Sequence, residues 1–184
     1  MLILVAEDES LIRLGLKSML ESLGHQVIAA TNGSEAIRMA ETRRPDLAIL
    51  DIQMPYTNGL QAARAISREK PIPILILTAF SDQELIEQAT DLPIQGYLVK
   101  PVQSSDLGAA IAVAVKRFDD MQALARRAAQ LEMDLATRKL VDQAKGKLMQ
   151  SGLTEEEAYR LIQSRARQNR QSVAAVAEAI VRTG

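Results

Sequence analysis

The sequence contains no cysteine and no tryptophan, a single histidine, and only 3% aromatic residues. Without cysteine there is no disulfide, no thiolate metal site and no cysteine nucleophile. His25, the one histidine, follows a glycine between a helix pattern and a strand pattern, and we interpret it as a surface turn residue. A multi-histidine metal site and a Ser-His-Asp triad are therefore disfavoured. Hydrophobic residues still make up 47% of the chain, so we expect an aliphatic core.

Long apolar segments are also missing. No run approaches the roughly 18 to 20 apolar residues that a membrane helix needs. The chain begins with a strand pattern, without the basic segment and cleavage site of a secretion signal. We therefore expect a soluble, cytoplasmic protein with no membrane contact. Its 184 residues suit one large or two small domains.

Short apolar runs alternate with helix-like patterns through the first part of the chain. This alternation predicts an α/β fold, a parallel five-stranded sheet with helices on both faces. We expect Ser10 and Ser34 to cap the first two helices. The predicted strands are residues 2–6, 26–30, 47–50, 74–77 and 95–99, and further helices are predicted at 60–68, at 82–89 and from 104 or 105 onward.

The central strand runs directly into Asp51. Met54 and Pro55 follow shortly afterwards, and proline cannot continue a central strand because it lacks an N–H. The Asp51 carboxylate is therefore expected at the carboxyl edge of the sheet, where ligands bind in open parallel sheets. The ordinary alternative for a lone aspartate is that it caps a turn.

Other chemically active residues also follow predicted strands. Right-handed crossovers place all the carboxyl ends of parallel strands at one edge, so these side chains should converge with Asp51. Taken singly, each has an ordinary explanation: an acidic first helical turn, a helix cap or a solvated lysine. The residues at strand ends are Glu7, Asp8, Asp51, Thr78 and Lys100.

Three neighbouring carboxylates repel one another unless a cation neutralises them. An all-oxygen ligand set favours a hard ion, above all Mg²⁺. With the ion bound, Asp51 keeps an oxygen that can act as a nucleophile. Lys100 and Thr78 could then stabilise phosphoryl oxygens, and the set fits formation of an aspartyl phosphate.

Residues 1 to about 120 resemble the receiver domain of two-component response regulators. The motifs are Glu7-Asp8, Asp51-Ile52-Gln53-Met54-Pro55, Thr78-Ala79 and Gly96-Tyr97-Leu98-Val99-Lys100-Pro101. The resemblance implies a flavodoxin-like fold, Asp51 as phosphoacceptor, and a sensor histidine kinase as phosphoryl donor. It implies Mg²⁺ ligands at Glu7, Asp8, Asp51 and the backbone carbonyl of Gln53, and a Lys100-Pro101 bond that is often cis.

The acidic pair departs from the pattern of the family, which often has two aspartates. Glu7 is longer by a methylene, so we expect it to reach the ion through a water. The resemblance also implies a switch, in which the Thr78 hydroxyl turns towards the phosphoryl group and Tyr97 turns inward. Tyr97 could instead be an ordinary half-buried aromatic. Phe80 is expected over the mouth of the site, where it would slow dephosphorylation.

A long helix is predicted from Ser105 to about Ala136, because this stretch lacks proline and has no glycine after Gly108. Along it, Leu124, Ala128, Leu131 and Leu135 follow the 4-3-4 spacing of a coiled-coil seam. We predict a parallel or antiparallel dimer through this seam. The alternative is that the stripe packs against the C-terminal helices of its own chain.

The remaining segment is predicted to form three short helices, with a capping box opening at Thr154. Residues 137–184 carry 9 basic and 5 acidic residues, a net charge of +4. Such a basic surface with one aromatic, Tyr159, suits an RNA with unstacked bases. A merely solvated basic surface is the alternative.

This segment resembles the ANTAR domain of transcription antitermination regulators over residues 137 to 182. The motif is Ala144-Lys145-Gly146-Lys147-Leu148-Met149, followed by Gly152, Glu156, Ala158-Tyr159, Leu161 and Ala166. The resemblance implies dimers that bind RNA hairpins and prevent a terminator from forming. The candidate RNA contacts are Lys145, Lys147, Tyr159, Arg165, Arg167 and Arg170. Gly146 is unfavourable in a helix, which suggests close approach of a helix or an RNA backbone there.

Together these patterns predict three parts: a receiver domain at 1–120, a coiled-coil linker helix at 121–136 and an ANTAR domain at 137–184. The predicted function is a phosphorylation-regulated antiterminator that binds RNA hairpins in a leader transcript, without enzymatic output. Two alternatives remain open: a helical output that binds a protein partner, and an output that binds DNA, which the modest basic charge disfavours.

Overall fold

A computed structural model describes residues 1–79 and 92–183. The predicted helix at 82–89 and Phe80 lie outside the described residues. The strands are β1 Leu2–Ala6, β2 Gln26–Ala30, β3 Leu47–Asp51, β4 Ile74–Thr78 and β5 Gly96–Val99. The described helices are α1 Ser10–Ser22, α2 Gly33–Arg43, α3 Gly59–Glu69, α4 Ser104–Gln150, α5 Glu155–Asn169 and α6 Val173–Thr183.

All five strands are parallel and lie in the order β2-β1-β3-β4-β5, which confirms the predicted flavodoxin-like sheet. Alternate side chains of β1 serve two cores. Leu4 and Ala6 pack in the layer that contains α2 and α3, whereas Ile3 and Val5 pack with α1 and the first turns of α4. Both faces of the sheet are covered, which explains why its strands are continuous apolar runs.

Two predicted caps are wrong. The N-cap of α1 is Glu9, without a side-chain hydrogen bond, and Ser10 is already the first helical residue. The N-cap of α2 is Asn32, whose side-chain oxygen accepts a hydrogen bond from the backbone N–H of Glu35 at 2.9 Å. Asparagine is as good a cap as serine, so the preference of Ser34 alone could not fix the helix start.

The chain divides into two compact units, Met1–Met121 and Gln122–Gly184, and α4 contributes to both. No break separates the long helix from the first helix of the C-terminal unit, because residues 137–139 contain no glycine, proline or capping signal. The predicted capping box at Thr154 opens α5. The small core of this unit is formed by Val141, Ala144, Ile162, Ala166, Val176 and Ala177.

The predicted seam stays outside that core. Leu124, Leu131 and Leu135 each expose 63% or more of their surface, and Ala128 is exposed as well. The alternative that this stripe packs on the C-terminal helices of its own chain is therefore wrong in this structure. Within the described ranges no helix is both long and apolar enough to span a bilayer.

Candidate phosphoacceptor site and basic output surface

Adjacent strands carry the predicted site residues to one edge of the sheet. β1 leads into Glu7 and Asp8, β3 ends at Asp51, β4 ends at Thr78, and β5 is followed by Lys100. These four strands are neighbours in the sheet. Since the strands are parallel and in register, their carboxyl ends meet, and the polar side chains share one crevice.

Three carboxylates of this crevice form a cluster. Glu7, Asp8 and Asp51 each offer an oxygen, and these oxygens lie within 4.8 Å of one another. Glu7 and Asp51 are buried, whereas Asp8 is exposed. An all-oxygen set of this size fits a hard divalent cation that keeps water ligands on its open side.

Lys100 supplies the compensating charge within the chain. Its Nζ lies 2.7 Å from Oε2 of Glu7 and 3.0 Å from Oδ2 of Asp51. Burial alone would lower the pKa of Lys100, but the hydrogen bonds to Glu7 and Asp51 outweigh it and raise the pKa above its usual value. Lys100 is therefore an ammonium at neutral pH. The Lys100-Pro101 bond that follows is cis.

The ionised form of Asp51 is disfavoured even with Lys100 beside it. The pKa of Asp51 is raised from 3.8 to about 6, mainly because burial and the charge of Glu7 raise it by more than the hydrogen bond from Lys100 lowers it. Lys100 therefore does not fully offset the cost of burying the Asp51 carboxylate in its ionised form. A second cation at the carboxylate cluster would stabilise the ionised form of Asp51.

Glu7 occupies the position at which the family often has an aspartate, and its longer side chain makes two contacts. It is fully buried, its Oε1 accepts a hydrogen bond from the backbone N–H of Glu9 at 3.1 Å, and its Oε2 faces Lys100. With this longer side chain, the Glu7 carboxylate contacts both the start of α1 and Lys100. Its direct or water-mediated contact with an ion stays a prediction.

The two predicted switch residues differ in exposure. Thr78 is buried, and its hydroxyl donates to the carbonyl of Ala79 at 2.9 Å. Tyr97 is 40% exposed, so its ring is not in the inward position predicted for the phosphorylated form. Gln53 lies exposed in the loop after Asp51, and the role of its carbonyl as a ligand stays a prediction.

Two supports of this site, the start of α3 and Arg13, were not predicted from the sequence. Gly59 begins α3 directly behind Asp51, and its N–H donates to the carbonyl of Ile52 at 3.1 Å. The Asn58-Gln61 capping box fixes the same helix start, and its Asn-x-x-Gln pattern was a usable signal. Arg13, on the first turns of α1, donates to the backbone carbonyls of Glu7 and Asp8.

The lysines and arginines predicted to contact RNA fall into two groups. Lys145 pairs with Asp142 at 2.9 Å and with Glu155 at 2.8 Å, and Lys147 donates to the carbonyl of Val181 near the end of α6. Both lysines therefore stabilise contacts within this unit. An RNA phosphate would have to displace these partners.

The second group is open to solvent. Arg165, Arg167 and Arg170 are exposed, and among the described residues their side chains have no ion pair or hydrogen bond. Tyr159 is 43% exposed and lies beside Lys145 in a shallow surface pocket. At Gly146 an added methyl group would have no neighbour within 4 Å, so the described chain itself makes no close approach there.

Both parts of the chain match known protein families, and one relative aligns with nearly its whole length. The response regulator receiver domain family matches residues 3–112, and the ANTAR domain family matches residues 129–181. The transcriptional regulatory protein PdtaR of Mycobacterium tuberculosis is 44% identical over 183 residues, which cover 98% of this chain and 89% of that protein.

Solved structures agree with the fold of the first unit. A response regulator receiver domain protein from Clostridium thermocellum is 33% identical with a TM-score of 0.60, covering 65% of this chain and 98% of its own. The receiver domain of the sensor histidine kinase PA1611 from Pseudomonas aeruginosa PAO1, whose structure has a magnesium ion coordinated in the active-site cleft, is 30% identical with a TM-score of 0.58, covering 62% and 97%. The chain therefore belongs to the response regulators, with a receiver domain followed by an ANTAR output domain.

Proposed function

We propose that this protein is a phosphorylation-controlled antiterminator that binds RNA hairpins in a leader transcript. The observation that carries the proposal is the buried Asp51 carboxylate beside Lys100 in a cluster of three carboxylates. The proposed parts are a receiver domain at 1–120, a coiled-coil linker at 121–136 and an RNA-binding ANTAR domain at 137–184. We propose no enzymatic output for any of these parts.

The proposed phosphoryl step begins at an oxygen of Asp51. This oxygen attacks the phosphorus of a phosphohistidine on a sensor kinase, so that an O–P bond forms, the N–P bond breaks and the imidazole leaves. Lys100 and the Thr78 hydroxyl stabilise two phosphoryl oxygens. Glu7, Asp8, Asp51 and the Gln53 carbonyl would hold a Mg²⁺ ion, which neutralises charge on the transferred group when it is bound.

The proposed output depends on two copies of the chain. Thr78 and Tyr97 reorganise when Asp51 is phosphorylated, and the altered receiver surface favours pairing through the stripe of Leu124, Ala128, Leu131 and Leu135. A seam this short gives only weak dimerisation by itself, so a change in the receiver can determine whether the dimer forms. Pairing then brings two RNA-binding units together, so that two hairpins bind with increased apparent affinity.

The stripe supplies a direct test of pairing. We expect Leu131→Glu to abolish the dimer that forms with Mg²⁺ and a small-molecule phosphodonor, because it places a charge in an apolar seam. Met133 is a matched control, since it is 66% exposed on the same helix but outside the stripe. Sedimentation of the full chain measures both variants. Dimers that persist in Leu131→Glu, or that are lost equally in Met133→Glu, would contradict the proposed seam.

The exposed arginines supply the test of RNA binding. Each phosphate contact with single-stranded RNA contributes about 0.7 to the slope of log affinity against log salt. We expect the pair Arg165→Gln and Arg167→Gln to reduce this slope by about 1.4 and the affinity by about tenfold. Arg170 is left unchanged because its backbone lies in the left-handed region, at φ 53°.

A second pair of arginines is the matched control. Arg160 and Arg182 pair with Glu156 and Glu178 on the same unit, so replacing both with glutamine removes equal charge from already occupied side chains. The probe is a pool of RNA hairpins with randomised loops, and duplex DNA serves as competitor. Equal losses in both pairs would point to bulk charge. No retained RNA would favour a protein partner, and DNA retained in its place would favour a DNA-binding output.

A further inference from the structure

Arg13 is a half-buried residue of α1 that makes three polar contacts beside the acidic cluster. Its Nη1 donates to the backbone carbonyl of Glu7 at 2.7 Å and to that of Asp8 at 3.0 Å. Its Nη2 donates to the hydroxyl of Ser10 at 3.3 Å. The guanidinium is therefore aimed at the backbone of the turn between β1 and α1.

Holding these two carbonyls restricts the whole turn. A peptide group is planar, so a fixed carbonyl also fixes the adjoining N–H and limits where the flanking side chains point. The two carbonyls belong to successive residues, and both residues contribute carboxylates to the cluster. Only arginine presents several donors in a rigid planar fork, whereas lysine is a compact charge on a flexible stem.

We propose that Arg13 is a positioning residue for the divalent-cation site. It holds the Glu7-Asp8 turn so that both carboxylates face Asp51 before a cation arrives. This inference rests on the proposed function, because it requires that Glu7, Asp8 and Asp51 bind a divalent cation. Arg13 itself does not contact the cation.

A positioning role of Arg13 and a purely electrostatic role predict opposite changes in Mg²⁺ affinity when Arg13 is replaced. Removing a positive charge near a cation site strengthens cation binding if Coulomb repulsion is the only change. Removing a group that aligns the ligands weakens binding, and the loss of such outer partners typically changes metal affinity by about 10- to 100-fold. The direction of the change in Mg²⁺ affinity therefore separates the two roles.

The experiment is a Mg²⁺ titration of the full chain, followed by the backbone amide resonances of residues 7–10. We expect Arg13→Ala to raise the Kd for Mg²⁺ about tenfold. Arg13→Lys keeps the charge but loses the fork, so its Kd should be close to that of Arg13→Ala. If the alanine variant fails to fold, the lysine variant carries the test, with the amide spectrum reporting that its fold is intact.

Lys17→Ala is the matched control. Lys17 lies one turn further along α1 and pairs with Glu21 at 3.8 Å, so the control removes a cation without touching the turn. We expect it to leave Mg²⁺ affinity unchanged or slightly stronger. Unchanged or tighter binding in Arg13→Ala, with normal binding by the wild type, would overturn this inference alone. A wild type that binds no Mg²⁺ would overturn the proposed metal site itself.

Discussion

Replacing Gly59 with alanine is expected to destabilise the receiver unit by about 3 kcal/mol, near the upper end for overpacking a tight contact. A Cβ at this position would lie 2.0 Å from the carbonyl oxygen of Asp51 and 2.8 Å from its carbonyl carbon. Both neighbours are backbone atoms of a buried central strand, so neither can move as a flexible side chain would. Relief requires α3 or the end of β3 to shift.

Such a shift acts on function as well as on stability. The carbonyl that the added Cβ would contact belongs to Asp51, the proposed phosphoacceptor, so the relief of the clash moves Asp51 relative to Lys100 and the acidic cluster. We expect slower labelling of Asp51 by a small-molecule phosphodonor. Hydrogen exchange of the β3 and β4 amides measures the stability of this unit in the full chain.

Gly15→Ala is the control for the Gly59 substitution. Gly15 lies within α1, where an added methyl group would have no neighbour within 4 Å. Alanine there should stabilise the helix by up to about 1 kcal/mol. A Gly59→Ala variant as stable as Gly15→Ala would show that the contact behind Asp51 does not constrain the end of β3.

The parts of the molecule that follow from local patterns could be predicted from the sequence. Apolar runs that end in polar residues located the strands, and the parallel sheet then required Glu7, Asp51 and Lys100 to meet. That convergence is a consequence of topology, so it did not depend on knowing any side-chain position. The capping box at Thr154 was equally local.

What the sequence could not supply depends on tertiary contacts. The carbonyls that Arg13 binds belong to the backbone, which carries no sequence signature. Lys145 and Arg165 look alike as basic residues, but folding pairs the first with two carboxylates and leaves the second exposed. The start of α2 differed by two residues because Asn32 and Ser34 are both good caps.

Replacing Asp51 with asparagine is expected to abolish phosphoryl labelling and, without Mg²⁺, to stabilise the receiver unit by about 3 kcal/mol at neutral pH, from 1.36 kcal/mol per pKa unit. The pKa of Asp51 is raised from 3.8 to about 6, chiefly by burial, so between these pH values the folded protein holds a proton that the unfolded chain releases. Asparagine has nearly the same shape without the charge, and Lys100 keeps its contact with Glu7.

The pH dependence identifies the cause of this gain. Below about pH 4 the carboxyl is protonated in both states, so the variant has no electrostatic advantage. Between the ordinary pKa of 3.8 and the raised pKa of about 6, the unfolded chain ionises first, and the wild type loses stability as the pH rises. Above about pH 6 the difference is complete and constant.

Mg²⁺ should stabilise the wild type relative to Asp51→Asn. A cation that binds only the folded wild type stabilises it in proportion to the logarithm of its concentration. The advantage of Asp51→Asn therefore shrinks as Mg²⁺ is added. Asp46→Asn is the control, since Asp46 lies at the opposite edge of the sheet and accepts a hydrogen bond from the N–H of Leu2 at 2.7 Å. It should show neither the gain nor the Mg²⁺ dependence. If Asp51→Asn is no more stable than the wild type above pH 6, then Lys100 alone balances the buried carboxylates, and the crevice has no electrostatic need for a second cation.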